Sequence, residues 1–263
     1  MASGDVTDEE VVAGLLLAAG GGSRFGGPKA LVEFEGERLA GRGVRLLAEG
    51  GCRPVLVVVG AAEAAVEAEL KGMTEGAVEK AAWDTKAGVG AAPVEHATGG
   101  AAADAEDDAV AEALGGVAKG ATEDAEIGAV VVRNPLWETG MGSSLRAGLR
   151  ALPPSAAAVV IALADQPLVR PEAVRRLVAA FRDGARVAVA AYGGVPRNPV
   201  LIAREHFAEV EALAVGDVGA RPFLRAHPGL VTVVACDDAG DPADVDTPDD
   251  LRRLRGANGG GQR

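Results

Sequence analysis

The side chains able to do chemistry in this 263-residue chain cluster just after its apolar runs. The first run is followed by Gly20-Gly21-Gly22-Ser23-Arg24-Phe25-Gly26-Gly27-Pro28-Lys29. Five glycines with one Arg and one Lys suit backbone amides and two cations wrapped round a polyphosphate. The stretch fails two standard labels. A dinucleotide fingerprint begun at Gly20 needs a glycine where Phe25 stands, and a Walker A loop needs Lys after Gly27 but finds Pro28. A later apolar run ends in Ala164-Asp165-Gln166-Pro167. An Asp at the carboxyl end of a buried strand, before a Pro that stops it, suits a hard cation such as magnesium shared with phosphate oxygens. An ordinary turn-capping Asp would also fit there. Asp246 stands just before Thr247-Pro248 and is the candidate second metal ligand. The surrounding residues 237–250 hold seven Asp but lack the closing Glu of a calcium loop.

A third constellation is Gly140-Met141-Gly142-Ser143-Ser144-Leu145. It is no nucleophile elbow, because Arg146 stands where the closing glycine belongs. Ser143 reads as the cap of the helix that follows. A capped helix start behind flexible glycines is a place for a ribose hydroxyl, a base or a phosphate, which makes Gly142, Ser143 and Ser144 candidate nucleotide contacts. The three histidines, His96, His206 and His227, lie beside no Ser or Cys motif and read as surface residues. A hydrolytic triad is therefore not legible. A reaction that binds a triphosphate, uses magnesium and needs no side-chain base fits better. Attack by a phosphomonoester on the α-phosphorus of a nucleotide is such a reaction, since a second pKa of about 6 leaves the phosphate largely anionic at neutral pH.

The elements that must position these residues follow from periodicity. Continuous apolar runs at 11–18, 54–60, 129–132 and 158–164 alternate with stretches of helical spacing, and 187–191, 200–202 and 230–235 are shorter strand candidates. Pro171 starts one helix and Thr247, Pro248 and Asp250 start another. Strands apolar on both faces between amphipathic helices predict an α/β, Rossmann-like fold, a mostly parallel twisted sheet with helices on both faces. Ligands of such sheets bind outside the carboxyl ends of the strands, where the three constellations lie.

Composition narrows the partners. A net charge of −12 repels nucleic acid and anionic lipid. Cys52 and Cys236 stand apart from each other and from any ligand partner, which predicts neither disulfide nor zinc and a reducing, cytoplasmic setting. No targeting or membrane segment is expected: the start of the chain is acidic and the longest apolar run is too short for a bilayer. Residues 71–128 differ in texture. Of those 58 positions 27 are Ala or Gly, and 12 acidic residues face only four Lys, so the segment can bury little and self-repels. It is expected to be a disordered acidic insertion in a single domain formed by residues 1–70 and 129–263.

Taken in order, the stretch from Leu17-Ala18-Ala19-Gly20 to Pro28-Lys29, Asn134-Pro135 with Gly140 to Leu149, Ala164-Asp165-Gln166-Pro167, Asn198-Pro199-Val200-Leu201, Gly216-Asp217 with Gly219-Ala220-Arg221, and Asp244-Val245-Asp246-Thr247-Pro248 resemble the molybdenum cofactor cytidylyltransferases. These belong to the wider MobA-like family of nucleotidyltransferases. The resemblance covers nearly all of the chain outside 71–128 and implies transfer of CMP from CTP to molybdopterin phosphate, with magnesium and release of pyrophosphate. It implies that Leu17, Ala18, Ala19, Gly20, Gly21 and Gly22 contact the nucleotide, that Arg24 and Lys29 neutralise the triphosphate and the charge developing at the α-phosphorus, and that Asp165 and Asp246 hold magnesium. Gln166, Asn198 and Pro199 would lie toward the acceptor, and a client molybdoenzyme or its chaperone would be the onward partner. Phe25 departs from the Met common in the family, and the 71–128 segment is not part of its usual pattern. The residues alone leave open a sugar phosphate or another small phosphomonoester as acceptor. They also leave open a non-catalytic binder that guards the finished cofactor.

Overall fold

A computed structural model describes residues 10–71 and 129–259. They belong to one compact unit. Of the 71–128 segment only Lys71 lies within the described residues.

Seven strands form the main sheet: β1 (Val11–Leu17), β4 (Val55–Val59), β5 (Ala129–Arg133), β6 (Ala156–Leu163), β7 (Val187–Tyr192), β8 (Val195–Ala203) and β9 (Val231–Ala235). Their order is β5-β4-β1-β6-β8-β7-β9. The first four are mutually parallel, as their unbroken apolar sequences predict, and β9 pairs parallel with β7. β8 runs against both β6 and β7. The 200–202 strand candidate thus becomes nine residues long. Its first half, Val195 to Arg197, is exposed and therefore carried no apolar signal. A separate hairpin of β2 (Glu33–Phe34) and β3 (Glu37–Arg38) was too short to read from periodicity.

The helices divide into two layers. On one face α1 (Leu39–Glu49), α2 (Glu63–Leu70) and α4 (Pro171–Arg182) bury Val44, Leu47, Val66, Leu70, Val174, Leu177 and Phe181 against the sheet. On the other, α3 (Met141–Arg150), α5 (Phe207–Leu213) and α6 (Arg221–Ala226) bury Leu145, Leu149, Phe207, Val210 and Phe223. Each fully buried Leu or Phe contributes about 1.5–3 kcal/mol, and strands buried on both faces collect it twice over their length. The last helix, α7 (Pro248–Gly259), starts at a reciprocal cap: Asp250 N donates to Thr247 Oγ1 at 3.2 Å and Thr247 N donates to Asp250 Oδ2 at 2.9 Å. Leu254 of this helix packs with Val245, Leu39 and the hairpin's Phe34 in a satellite core. Among the described residues no helix is long and apolar enough to cross a membrane.

Candidate nucleotide site

Lys29 is the residue that joins the parts. It opens a 3-10 turn, Lys29–Leu31, directly after the glycine-rich stretch. Its Nζ donates to Asp165 Oδ2 at 2.5 Å and to Asp246 Oδ1 at 2.9 Å, across 136 and 217 residues of sequence. Asp165 arrives at the end of β6, and Val245 N donates to the Asp165 carbonyl at 2.8 Å, which fixes the Asp244-Val245-Asp246 stretch beside it. Burial alone would lower the Lys29 pKa, but Asp165 and Asp246 outweigh it and raise the ammonium above its ordinary 10.5. Asp244 is pushed the other way for a carboxylate. Burial raises its pKa, Asp165 and Asp246 add to the rise, and a hydrogen bond from Gln166 opposes it.

Three carboxylates against one ammonium leave this cluster negative, which suits a divalent cation. The donors are hard oxygens, and each of Asp165 and Asp246 spends one oxygen on Lys29, keeping the other for an ion or for water. Among the described residues no three acidic, His or Cys side chains converge as a ready-made cage. An ion here would draw the rest of its coordination from a ligand or from water, as magnesium commonly does.

Beside the cluster lies a cavity of about 480 Å³ between the glycine-rich stretch and the start of α3. Seven of the expected nucleotide contacts, Leu17, Ala18, Ala19, Gly20, Gly21, Lys29 and Ser144, line it together with Asp165. Gly22 and Asp246 lie outside the lining, and Arg24 projects from the turn as an exposed side chain. Gly142 and Ser143 are buried behind the cavity. Ser143 is not a helix cap. The cap position is Gly140, with no side-chain capping bond, and the Ser143 hydroxyl lies within 2.9 Å of the Leu136 and Gly140 carbonyls. It also accepts from Asn134 Nδ2 at 2.9 Å, and Ser144 accepts from the same amide at 3.0 Å. The buried Asn134 is thus the pin that holds the start of α3 to the end of β5, a role its place in the sequence did not reveal.

Gln166 turns away from the cavity and donates to Pro242 O at 3.1 Å and Asp244 Oδ1 at 2.8 Å. Asn198 and Pro199 belong to β8 and line neither this cavity nor a larger groove of about 780 Å³ between α1 and α4. Lys29 and Asp165 line the smaller cavity and not the groove, so the smaller cavity is the one that meets the reactive cluster. His206, read as a surface residue, packs instead against Phe223 with ring centroids 5.4 Å apart. Trp137 lines the cavity without having been among the expected contacts, and so does Asp217, from the loop between α5 and α6, which entered only as part of the resemblance.

Comparisons with known proteins show the family and the fold. The chain matches the sequence profile of the MobA-like NTP transferase domain over residues 14–110 and 105–233. It is 31% identical to nicotine blue oxidoreductase of Paenarthrobacter nicotinovorans over 94% of this chain and 98% of that protein. Its fold is similar to that of Rv0371c from Mycobacterium tuberculosis H37Rv in complex with manganese, with 24% identity, a TM-score of 0.61 and coverage of 94% and 99% of the two chains. It is also similar to 2-C-methyl-D-erythritol 4-phosphate cytidylyltransferase from Thermus thermophilus, with 17% identity, a TM-score of 0.53 and coverage of 94% and 98%. The chain belongs to the MobA-like NTP transferase family and is a nucleotidyltransferase.

Proposed function

We propose that this enzyme transfers CMP from CTP to the phosphate of molybdopterin and releases pyrophosphate. Members of the wider superfamily bind an NTP and a phosphate-bearing acceptor, and the family typically uses a divalent cation. The observation that carries the reading is Lys29, held between Asp165 and Asp246 at the edge of the glycine-lined cavity. An acceptor phosphate oxygen forms the new bond to the α-phosphorus while the bond to the bridging oxygen of the β-phosphate breaks. No proton has to leave the nucleophile. The Lys29 ammonium supplies fixed positive charge where negative charge builds, in a partly dry site where it counts for more than in water. Asp165 and Asp246 would hold magnesium, which when bound screens the triphosphate and activates pyrophosphate as a leaving group. The choice of CTP is supported by the likeness of Ala18-Ala19 to the cytidylyl type, and the acceptor by the pairing of G-M-G-S-S-L with A-D-Q-P.

The test mixes the protein with CTP, magnesium and molybdopterin and measures pyrophosphate. Release that depends on all three supports the reading, and release with a sugar phosphate in place of molybdopterin moves the acceptor to that class. Binding of CTP and molybdopterin without release would support the non-catalytic binder. Because one relative is named for a redox activity, a parallel arm follows oxidation of a reduced pyridine nucleotide. Oxidation there with no pyrophosphate in the first arm defeats the proposal.

A further inference from the structure

The indole of Trp137 lies along the backbone that frames the cavity. A Cβ added at Gly60, just past β4, would come within 2.4 Å of the Trp137 Cβ and 2.5 Å of its Cγ. One added at Gly21 would come within 2.9 Å of Cζ3 and 3.0 Å of Cη2. The root of the side chain therefore rests on Gly60 and its far edge on Gly21, and neither position can carry a side chain without displacing the ring. The backbone beneath is pinned, with Trp137 N donating to Asn134 O at 3.3 Å and Gly140 N donating to Trp137 O at 3.2 Å. The ring is a fixed wall of the cavity.

Its position says which part of a nucleotide meets it. Lys29 and Asp165 gather at the ends of β1 and β6, and the proposed reading puts the triphosphate at that end, beside the Lys29 ammonium and the carboxylates that would hold magnesium. Trp137 belongs to the β4 and β5 side, and β4 stands two strand spacings, about 10 Å, from β6. With the phosphates at Lys29, the nucleoside extends toward the indole. At that end Trp137 and Met141 line the cavity along with the polar Glu138 and Thr139, and the Asp217 carboxylate offers an acceptor for sugar hydroxyls or an exocyclic amine.

We propose that Trp137 is the specificity-determining wall of the base compartment, admitting a pyrimidine and excluding a purine. This deepens the CTP reading and rests on it. The ring takes up volume that the second ring of a purine would need, and it offers the remaining base an aromatic surface.

The test uses the full chain and compares CTP with ATP and GTP. Trp137→Ala should weaken CTP binding about ten-fold and bring the CTP-to-ATP affinity ratio close to one, while Trp137→Phe keeps the preference. KM for CTP should rise with little change in kcat, because the phosphate end is untouched. The chain has two tryptophans, so in a Trp83→Phe background the fluorescence of Trp137 should change on addition of CTP. An unchanged CTP-to-ATP ratio in Trp137→Ala, or a Trp137 signal blind to CTP, overturns the proposal. The fluorescence measurement leaves Trp137 in place and decides the matter even if Trp137→Ala does not fold. Wild-type protein that binds GTP more tightly than CTP defeats the CTP reading instead, which separates the two failures.

Discussion

The two glycine-rich turns that border the cavity look alike in sequence, but the first leaves some of its glycines open where the second closes Gly140 and Gly142 against another loop. In the turn after β1, a side chain at Gly20, Gly26 or Gly27 would meet nothing within 4 Å, while one at Gly21 would meet the Trp137 ring and one at Gly22 the Gly27 carbonyl. In the turn before α3, a Cβ at Gly140 would lie 2.4 Å from Gly216 O, and one at Gly142 would lie 2.5 Å from Ala214 O. At Gly20 the first turn keeps its backbone bare toward the cavity, as a surface for a ligand must. The second is a clasp. Gly142 N donates to Gly216 O at 2.9 Å, so the loop carrying Asp217 is locked to the helix that carries Ser144. Glycine content alone does not distinguish a ligand surface from a backbone contact; what stands opposite the missing Cβ does.

Substitutions can break this contrast. The largest effect belongs to the ligand side. Lys29→Ala removes the ammonium shared by Asp165 and Asp246, and kcat for pyrophosphate release should fall roughly 100- to 1,000-fold. CTP affinity should fall less, since the charge matters most as the bond breaks; equal losses in both would make Lys29 a binding residue only. On the clasp side, Gly142→Ala forces Cβ into the Ala214 carbonyl and should destabilise the fold by about 1–3 kcal/mol. In thermal melting that is a fall of about 2–4 °C for each kcal/mol. A wild-type melting temperature would show that the 214–217 loop yields easily. Ser143→Ala should cost about 1 kcal/mol, because it strips the buried Asn134 amide of one of its two acceptors while leaving Ser144 in place. Double substitution with Asn134→Ala should then be clearly less than additive.

Much of this was legible in sequence. The parallel strands β1, β4, β5 and β6 were, because burial on both faces leaves an unbroken apolar run, and so was the start of α7, because capping residues act on their immediate neighbours. Asp165 and Lys29 could be nominated from their places after strands. Their bond to each other could not be read, since it spans 136 residues and depends on the sheet order. Ser143 misled because Ser at a helix start has two uses, bonding the amides ahead of it or the carbonyls behind it, and only the position of Gly140 decides between them. The reversed β8 was hidden by its exposed first half, and Trp137 by the fact that its partners, Gly21 and Gly60, come from other loops.

The smallest effect is the one that tests the contrast most sharply. Gly20→Ala adds a methyl group into open space, at a position without a left-handed backbone, so nothing in the folded chain resists it. Melting temperature should stay within what about 0.5 kcal/mol would move. Nucleotide affinity should nonetheless fall, because Gly20 lines the cavity and the methyl group stands where a ligand would approach the bare backbone. Calorimetric titration with CTP and magnesium beside a thermal melt of the same sample reads both quantities. Unchanged melting with weaker binding marks the first turn as a ligand surface. Unchanged affinity would mean that the open space at Gly20 serves no ligand, and the two turns would then differ only in how tightly their backbones are packed.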